Sequence, residues 1–105
     1  MLSHLLNQLI KYYEEDPTDA FNIYALATEY LKSDLTKSLA LFEHLVVSQP
    51  DYTATYYHLA KLYEQLSNRS KAIEVYEKGI DACTRLKAAH ALKELKNAYQ
   101  ELIFE

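Results

Sequence analysis

A chain of 105 residues, half of them apolar, is the size of one small domain and must fold around a core. Eleven Lys and Arg against fifteen Asp and Glu give a net charge of −4, the wrong sign for a phosphate backbone, and no apolar run approaches the ~20 residues that cross a bilayer. One glycine and two prolines supply too little turn chemistry for sandwiches, barrels, phosphate-cradling loops or dinucleotide folds, so helices remain.

The first predicted helix occupies residues 1–16, where Leu5, Leu6, Leu9 and Tyr12 recur at helical spacing. Ser3, His4, Asn7 and Gln8 interrupt its leucines, and with no basic start or small-residue cleavage site it reads as an amphipathic helix and not a leader. Asp16-Pro17-Thr18-Asp19 breaks the chain, with Thr18 or Asp19 available to cap a second helix carrying Ile23, Leu26, Ala27 and Tyr30 at i, i+3, i+4, i+7. Lys32-Ser33-Asp34 is the next break, and Leu39, Phe42 and Leu45 stripe a third helix capped by Asp34. After Gln49-Pro50-Asp51, Asp51 or Thr53 can cap a fourth helix bearing Tyr56, Leu59, Ala60 and Tyr63. Ser67-Asn68-Arg69-Ser70 follows, with Asn68 or Ser70 as the cap of a fifth helix marked by Ile73, Tyr76 and Ile80. Cys83-Thr84-Arg85 is either a turn or a continuation, since no Gly or Pro stands between Ile80 and Leu86. The expectation is a break there, and Ala88, Leu92, Leu95, Tyr99 and Leu102 then stripe a sixth helix.

Subtraction exposes a repeat. Ile23, Leu26, Ala27 and Tyr30 return 33 residues later as Tyr56, Leu59, Ala60 and Tyr63, while Lys37, Ser38, Leu39, Phe42 and Glu43 return 34 later as Lys71, Ala72, Ile73, Tyr76 and Glu77. One residue inserted in the second turn, somewhere from Leu66 to Arg69, accounts for the difference. Pro17 and Pro50 are also 33 apart, which sets Leu5, Leu6 and Leu9 opposite Ser38, Leu39 and Phe42 and makes the first helix half a repeat. In these residues the chain resembles the tetratricopeptide repeat family, whose paired antiparallel helices recur about every 34 residues. The family's large, large, small, aromatic order is met twice in the first helices; in the second helices Ser38 and Phe42, with Pro50 as the closing proline, meet its small and aromatic positions in the first repeat, and Ala72, Tyr76 and Gly79 meet them in the second. Thr84 stands where the second repeat's closing proline belongs, and Leu45 is larger than usual. The resemblance implies an all-α fold, a right-handed superhelix of antiparallel helix pairs with about six helices. It implies one domain over 1–105, with 1–16 a leading helix, 20–52 and 53–86 the two repeats, and 87–105 a capping helix.

With each core stripe turned inward, the other side of the first helices carries Phe21, Tyr24, Thr28 and Leu31 in one repeat and Tyr57, His58, Lys61 and Glu64 in the next. The resemblance implies that this concave face binds a protein or peptide partner without catalysis. Tyr24 and Tyr57 hold equivalent places, and two rings beside a cation suit an extended segment with apolar and acidic groups. The same rings can instead pack on the first or last helix, and both readings stay open. Lys61 is the one basic match to the family members that grip a chaperone tail's carboxylate, which disfavours that activity. None of His4, His44, His58 and His90 has a His or Cys at i+3 or i+4. His90 and Glu94 could supply two metal ligands, but a structural zinc takes four and a solvated pair is expected. Cys83 has no evident base, and Glu14-Glu15-Asp16 sits at a helix boundary as a solvated run. Neither enzymatic activity nor a cofactor, nucleic-acid or membrane partner is expected, and the lone thiol points to a reducing, cytoplasmic compartment. The competing reading is a self-associating module, a homo-oligomer built through the apolar flanks Leu2, Ile103 and Phe104.

Overall fold

The computed structural model describes residues 3–105, so Leu2 lies outside the described residues. Every regular element among them is an α-helix: α1 His4–Glu15, α2 Ala20–Tyr30, α3 Leu35–Ser48, α4 Ala54–Gln65, α5 Arg69–Leu86 and α6 Ala89–Ile103. The chain forms two compact units, Met1–Gln49 and Pro50–Glu105.

Short polar side chains start most of the helices by satisfying amides that have no partner inside the helix. Asp19, Asp34 and Asn68 accept the backbone N–H of Asn22, Lys37 and Lys71 at 2.9, 3.1 and 3.2 Å. Asp19 is therefore the cap and not Thr18, and Asn68 and not Ser70. Ser3 serves α1 in the same way, 3.0 Å from the Leu6 amide. Thr53 precedes α4 in helical backbone and makes no side-chain bond.

In the first unit the whole predicted stripe of α2, Ile23, Leu26, Ala27 and Tyr30, is buried, together with Ser38, Phe42 and Leu45 of α3 and Leu6 of α1. Ser38 is small enough for α2 and α3 to close together, and its hydroxyl donates to the Ala27 carbonyl at 2.7 Å, so burial leaves it satisfied. Leu5 and Tyr12 share the helical spacing of Leu6 and Leu9 but are exposed. The reason is that α1 packs chiefly on α2, with Leu41 of α3 at the edge of the contact, and needs only a narrow stripe. Asn22 Nδ2 ties α2 to the end of α1 through the Tyr12 carbonyl at 3.2 Å, and Gln49 Nε2 reaches the Thr18 carbonyl at 2.8 Å.

In the second unit Tyr56, Leu59, Ala60 and Tyr63 of α4 are buried against Ala72, Val75, Tyr76 and Gly79 of α5 and Leu95, Ala98 and Leu102 of α6. Two neighbours surround α4, which explains why Thr55 and Leu62, outside its predicted stripe, are buried as well.

The inserted residue of the second repeat is now identified. The α2–α3 turn closes with the Asp34 amide on the Tyr30 carbonyl at 2.8 Å, whereas the α4–α5 turn closes one residue later, with the Asn68 amide on the Tyr63 carbonyl at 2.9 Å. Ser67 is the extra residue and takes up the left-handed conformation, φ 60°. A second such turn corrects the expected break at Cys83-Thr84-Arg85. Those residues are helical, because nothing in them opposes the helix and the Thr84 hydroxyl bonds back to the Ile80 carbonyl at 2.7 Å. The chain turns at Lys87, φ 57°, where the Lys87 and Ala88 amides reach the Thr84 and Cys83 carbonyls at 3.3 and 2.9 Å.

Left-handed backbone costs an L-residue about 1–2 kcal/mol, and glycine escapes that cost while gaining some freedom in the unfolded chain. Ser67→Gly and Lys87→Gly are each expected to stabilise the protein by about 0.5–1 kcal/mol. Equilibrium urea denaturation checks this, and a lowered midpoint would show that the native side chains contribute more than the strain removes.

Candidate functional site

In the first unit α2 and its C-cap residue Leu31 carry all four residues singled out by the sequence, in unequal settings. Phe21 is 62% exposed. Tyr24 is half-buried and sets its ring edge-on to Phe42, with centroids 6.4 Å apart. Thr28 spends its hydroxyl within the helix, donating to the Tyr24 carbonyl at 2.8 Å, and Leu31 ends α2 half-buried. Tyr24 thus packs on α3, the second helix of its repeat, and Phe21 is the open ring.

In the second unit Tyr57, His58, Lys61 and Glu64 are all half-buried on α4. The Lys61 ammonium stands 5.8 Å from the Tyr57 ring centroid and 3.7 Å from Glu64. Glu64 also accepts the Tyr76 hydroxyl at 2.5 Å. Burial, and then that bond, push the Tyr76 phenol far above its ordinary pKa, so it remains a donor. Glu64 is therefore committed to joining α4 and α5. His58 meets the Tyr57 ring edge-on at 5.8 Å, and burial lowers its pKa against an opposing pull from Glu94.

The sequence reading missed the far wall of this site. Residues of α6 face α4 across a cleft of about 210 Å³ lined by Tyr57, Lys61, Glu94, Asn97, Ala98 and Glu101. A signal for it existed: Leu92, Leu95 and Tyr99 follow Tyr56, Leu59 and Tyr63 by 36 residues, so α6 repeats a first-helix stripe at a stretched spacing. Its place beside α4 and α5 is that of the first helix of a further repeat.

Elsewhere, exposed His90 stands 3.7 Å from Glu94 through Nε2, a solvated pair. Among the described residues no three His, Cys, Asp or Glu side chains are grouped to hold a metal ion, and no helix is long and apolar enough to cross a membrane. Cys83 is buried and unpaired, and burial raises its thiol pKa.

A crystal structure of a tetratricopeptide repeat domain protein from Salinibacter ruber is similar to this chain, with 46% identity, a TM-score of 0.76, and coverage of 80% of this chain and 94% of its own. A solution structure under the same description, from the same organism, also shares 46% identity, with a TM-score of 0.79 over 83% and 89% of the two chains. This chain belongs to the tetratricopeptide repeat family. A Bordetella parapertussis protein solved in solution shares the fold at 16% identity, with a TM-score of 0.82 over 97% of this chain and 90% of its own. No family model and no curated protein matches the chain. As a tetratricopeptide protein it uses its small positions as the family does: Ala27, Ser38, Ala60, Ala72 and Gly79 are all buried.

Proposed function

We propose that this tetratricopeptide protein is a non-enzymatic interaction module that holds a peptide or protein segment on its concave face. The residues assigned to that face are Phe21, Tyr24, Thr28 and Leu31 on α2 and Tyr57, His58, Lys61 and Glu64 on α4, with residues 1–105 working as one module. The α4–α6 cleft carries the reading, because it gathers an aromatic ring, an amide and charged groups around a small apolar floor at Ala98. It also changes the ligand chemistry expected from the two tyrosines and Lys61. Glu64 occupies Lys61, and Glu94 and Glu101 stand on the α6 wall, so a basic side chain beside an apolar one suits the cleft better than an acidic segment. The buried, unpaired thiol of Cys83 agrees with a cytoplasmic setting.

Selection of short random peptides on the protein, with counter-selection on Tyr57→Ala/Lys61→Ala, tests the proposal. Segments pairing Lys or Arg with an aromatic residue are expected, binding at micromolar concentration and about ten-fold more weakly to the variant. Equal enrichment on both proteins, or none on either, would remove the cleft as the binding site.

A further inference from the structure

The α6 wall of the α4–α6 cleft presents its charges at a fixed spacing. Glu94 and Glu101 stand on it seven residues apart, which on a helix is two turns along one face, about 10.5 Å. Asn97 and Ala98 lie between them on the same wall, and Tyr57 and Lys61 of α4 form the other. Lys61 brings a positive charge into the cleft, but its ammonium is paired with Glu64 at 3.7 Å. Glu101 forms no ion pair among the described residues, and Glu94 meets exposed His90 at 3.7 Å while 54% of its own side chain stays open. Two negative charges at a set separation are therefore left for a ligand to meet.

The shape of the cleft decides which backbone can carry two cations to those places. Its volume of about 210 Å³ spread over that length leaves a cross-section of about 20 Å². That is room for one extended chain and far too little for an α-helix about 10 Å across. Extended chains come in two periods. In a β-strand alternate residues share a face, so like-facing side chains stand about 7 Å or about 13 Å apart, and neither spacing matches. In polyproline II every third residue shares an edge and the rise is about 3.1 Å, which sets residues i and i+3 about 9.3 Å apart. Side chains as long as Lys or Arg reach both carboxylates from there. This conformation makes no internal hydrogen bonds, and Asn97, exposed between the two glutamates, offers its backbone a donor and an acceptor.

We infer that the cleft selects a polyproline II segment of a partner protein bearing Lys or Arg at positions i and i+3, one against Glu94 and the other against Glu101. Of the two residues between them, one turns to the α4 wall, where the Tyr57 ring meets an apolar side chain, and the other turns to solvent. The inference rests on the reading of this cleft as the peptide site and adds the backbone and spacing of the partner.

The test is calorimetric titration of the full chain, up to about 1 mM peptide, with proline-flanked peptides that differ only in the spacing of two lysines: Lys-Leu-Pro-Lys, Lys-Leu-Lys and Lys-Leu-Pro-Pro-Lys. The i, i+3 peptide should bind about three- to five-fold more tightly than either of the others, the difference that one exposed ion pair makes. Glu94→Gln and Glu101→Gln, both at exposed positions, should each weaken it by about the same factor, leave the melting profile unchanged and abolish the preference for spacing. Glu101→Lys should recover binding with a peptide carrying Glu in place of one lysine, and which lysine that is gives the direction of the bound chain. Equal affinity at all three spacings, or indifference to both Gln variants, while Tyr57→Ala/Lys61→Ala still weakens binding, would overturn the spacing and leave the cleft as the peptide site. Tighter binding of a helical peptide with lysines seven apart would overturn the assigned backbone. Binding that persists in Tyr57→Ala/Lys61→Ala, or none by any peptide, would overturn the cleft and the spacing together.

Discussion

Truncation after Lys87, which removes α6, is expected to abolish the cooperative unfolding of the second unit. Leu95, Ala98 and Leu102 are the buried residues of α6. The Tyr99 ring stands edge-on to Tyr76 at 6.3 Å and its hydroxyl reaches Glu77 at 2.9 Å, while the Leu102 carbonyl accepts Arg69 at 3.3 Å. Burying Leu95 and Leu102 contributes about 1.5–3 kcal/mol each, against the roughly 5–15 kcal/mol that holds a whole domain folded. What remains of the second unit would be a single helix pair, α4 and α5, and one pair of a repeat array does not cover its own apolar stripe. Cys83 is a built-in reporter, since its thiol is fully buried and unpaired. The truncated chain should lose its sharp thermal transition and react rapidly with a thiol reagent, whereas the full chain reacts slowly. A truncated protein that melts in one step with Cys83 protected would show that α4 and α5 are sufficient, and that α6 is dispensable.

The eight stripe residues of α2 and α4 were legible in the sequence because spacing and residue size repeat together there, and all eight are buried. The α6 wall was not, for two physical reasons. Its stripe returns after 36 residues, and Lys96 stands where Ala27 and Ala60 stand in the other first helices, so the small position that marks a close approach is missing. The turn at Lys87 escaped because a lysine in left-handed backbone is intrinsically unfavourable and held there by its surroundings, which local propensity does not register. The role of Glu64 depends on Tyr76, twelve residues away on another helix, a pairing that only the packing of α4 on α5 creates. Spacing thus revealed which residues face the core. It did not reveal which surface charges are already spent on the fold, and that is what shifted the expected ligand from acidic to basic.

Gly79→Ala is the second large effect, an expected loss of about 1–3 kcal/mol at a site where helix propensity alone predicts a gain of about 1 kcal/mol. Gly79 is the only glycine of the chain and sits inside α5, so it is not there for a turn. A methyl group built on it would stand 2.6 Å from Tyr56 Cβ and 2.9 Å from Leu95 Cδ1, closer than the 3.0 Å that real contacts respect. Leu95 can give way by changing rotamer. Tyr56 cannot, because its Cβ moves only with the α4 backbone and its hydroxyl is anchored to the Pro50 carbonyl at 2.6 Å. Relief therefore requires α5 to draw away from α4, which loosens Tyr76 and the α6 residues packed on both helices. Urea denaturation of Gly79→Ala beside Lys78→Ala separates the two effects, since Lys78 is exposed on the same helix and its substitution should shift stability by no more than about 0.5 kcal/mol. A more stable Gly79→Ala protein would mean that propensity prevails and that α4 and α5 stand farther apart than the Tyr56–Gly79 contact requires. A less stable one, with Lys78→Ala unchanged, would establish that this glycine sets the distance between the two helices.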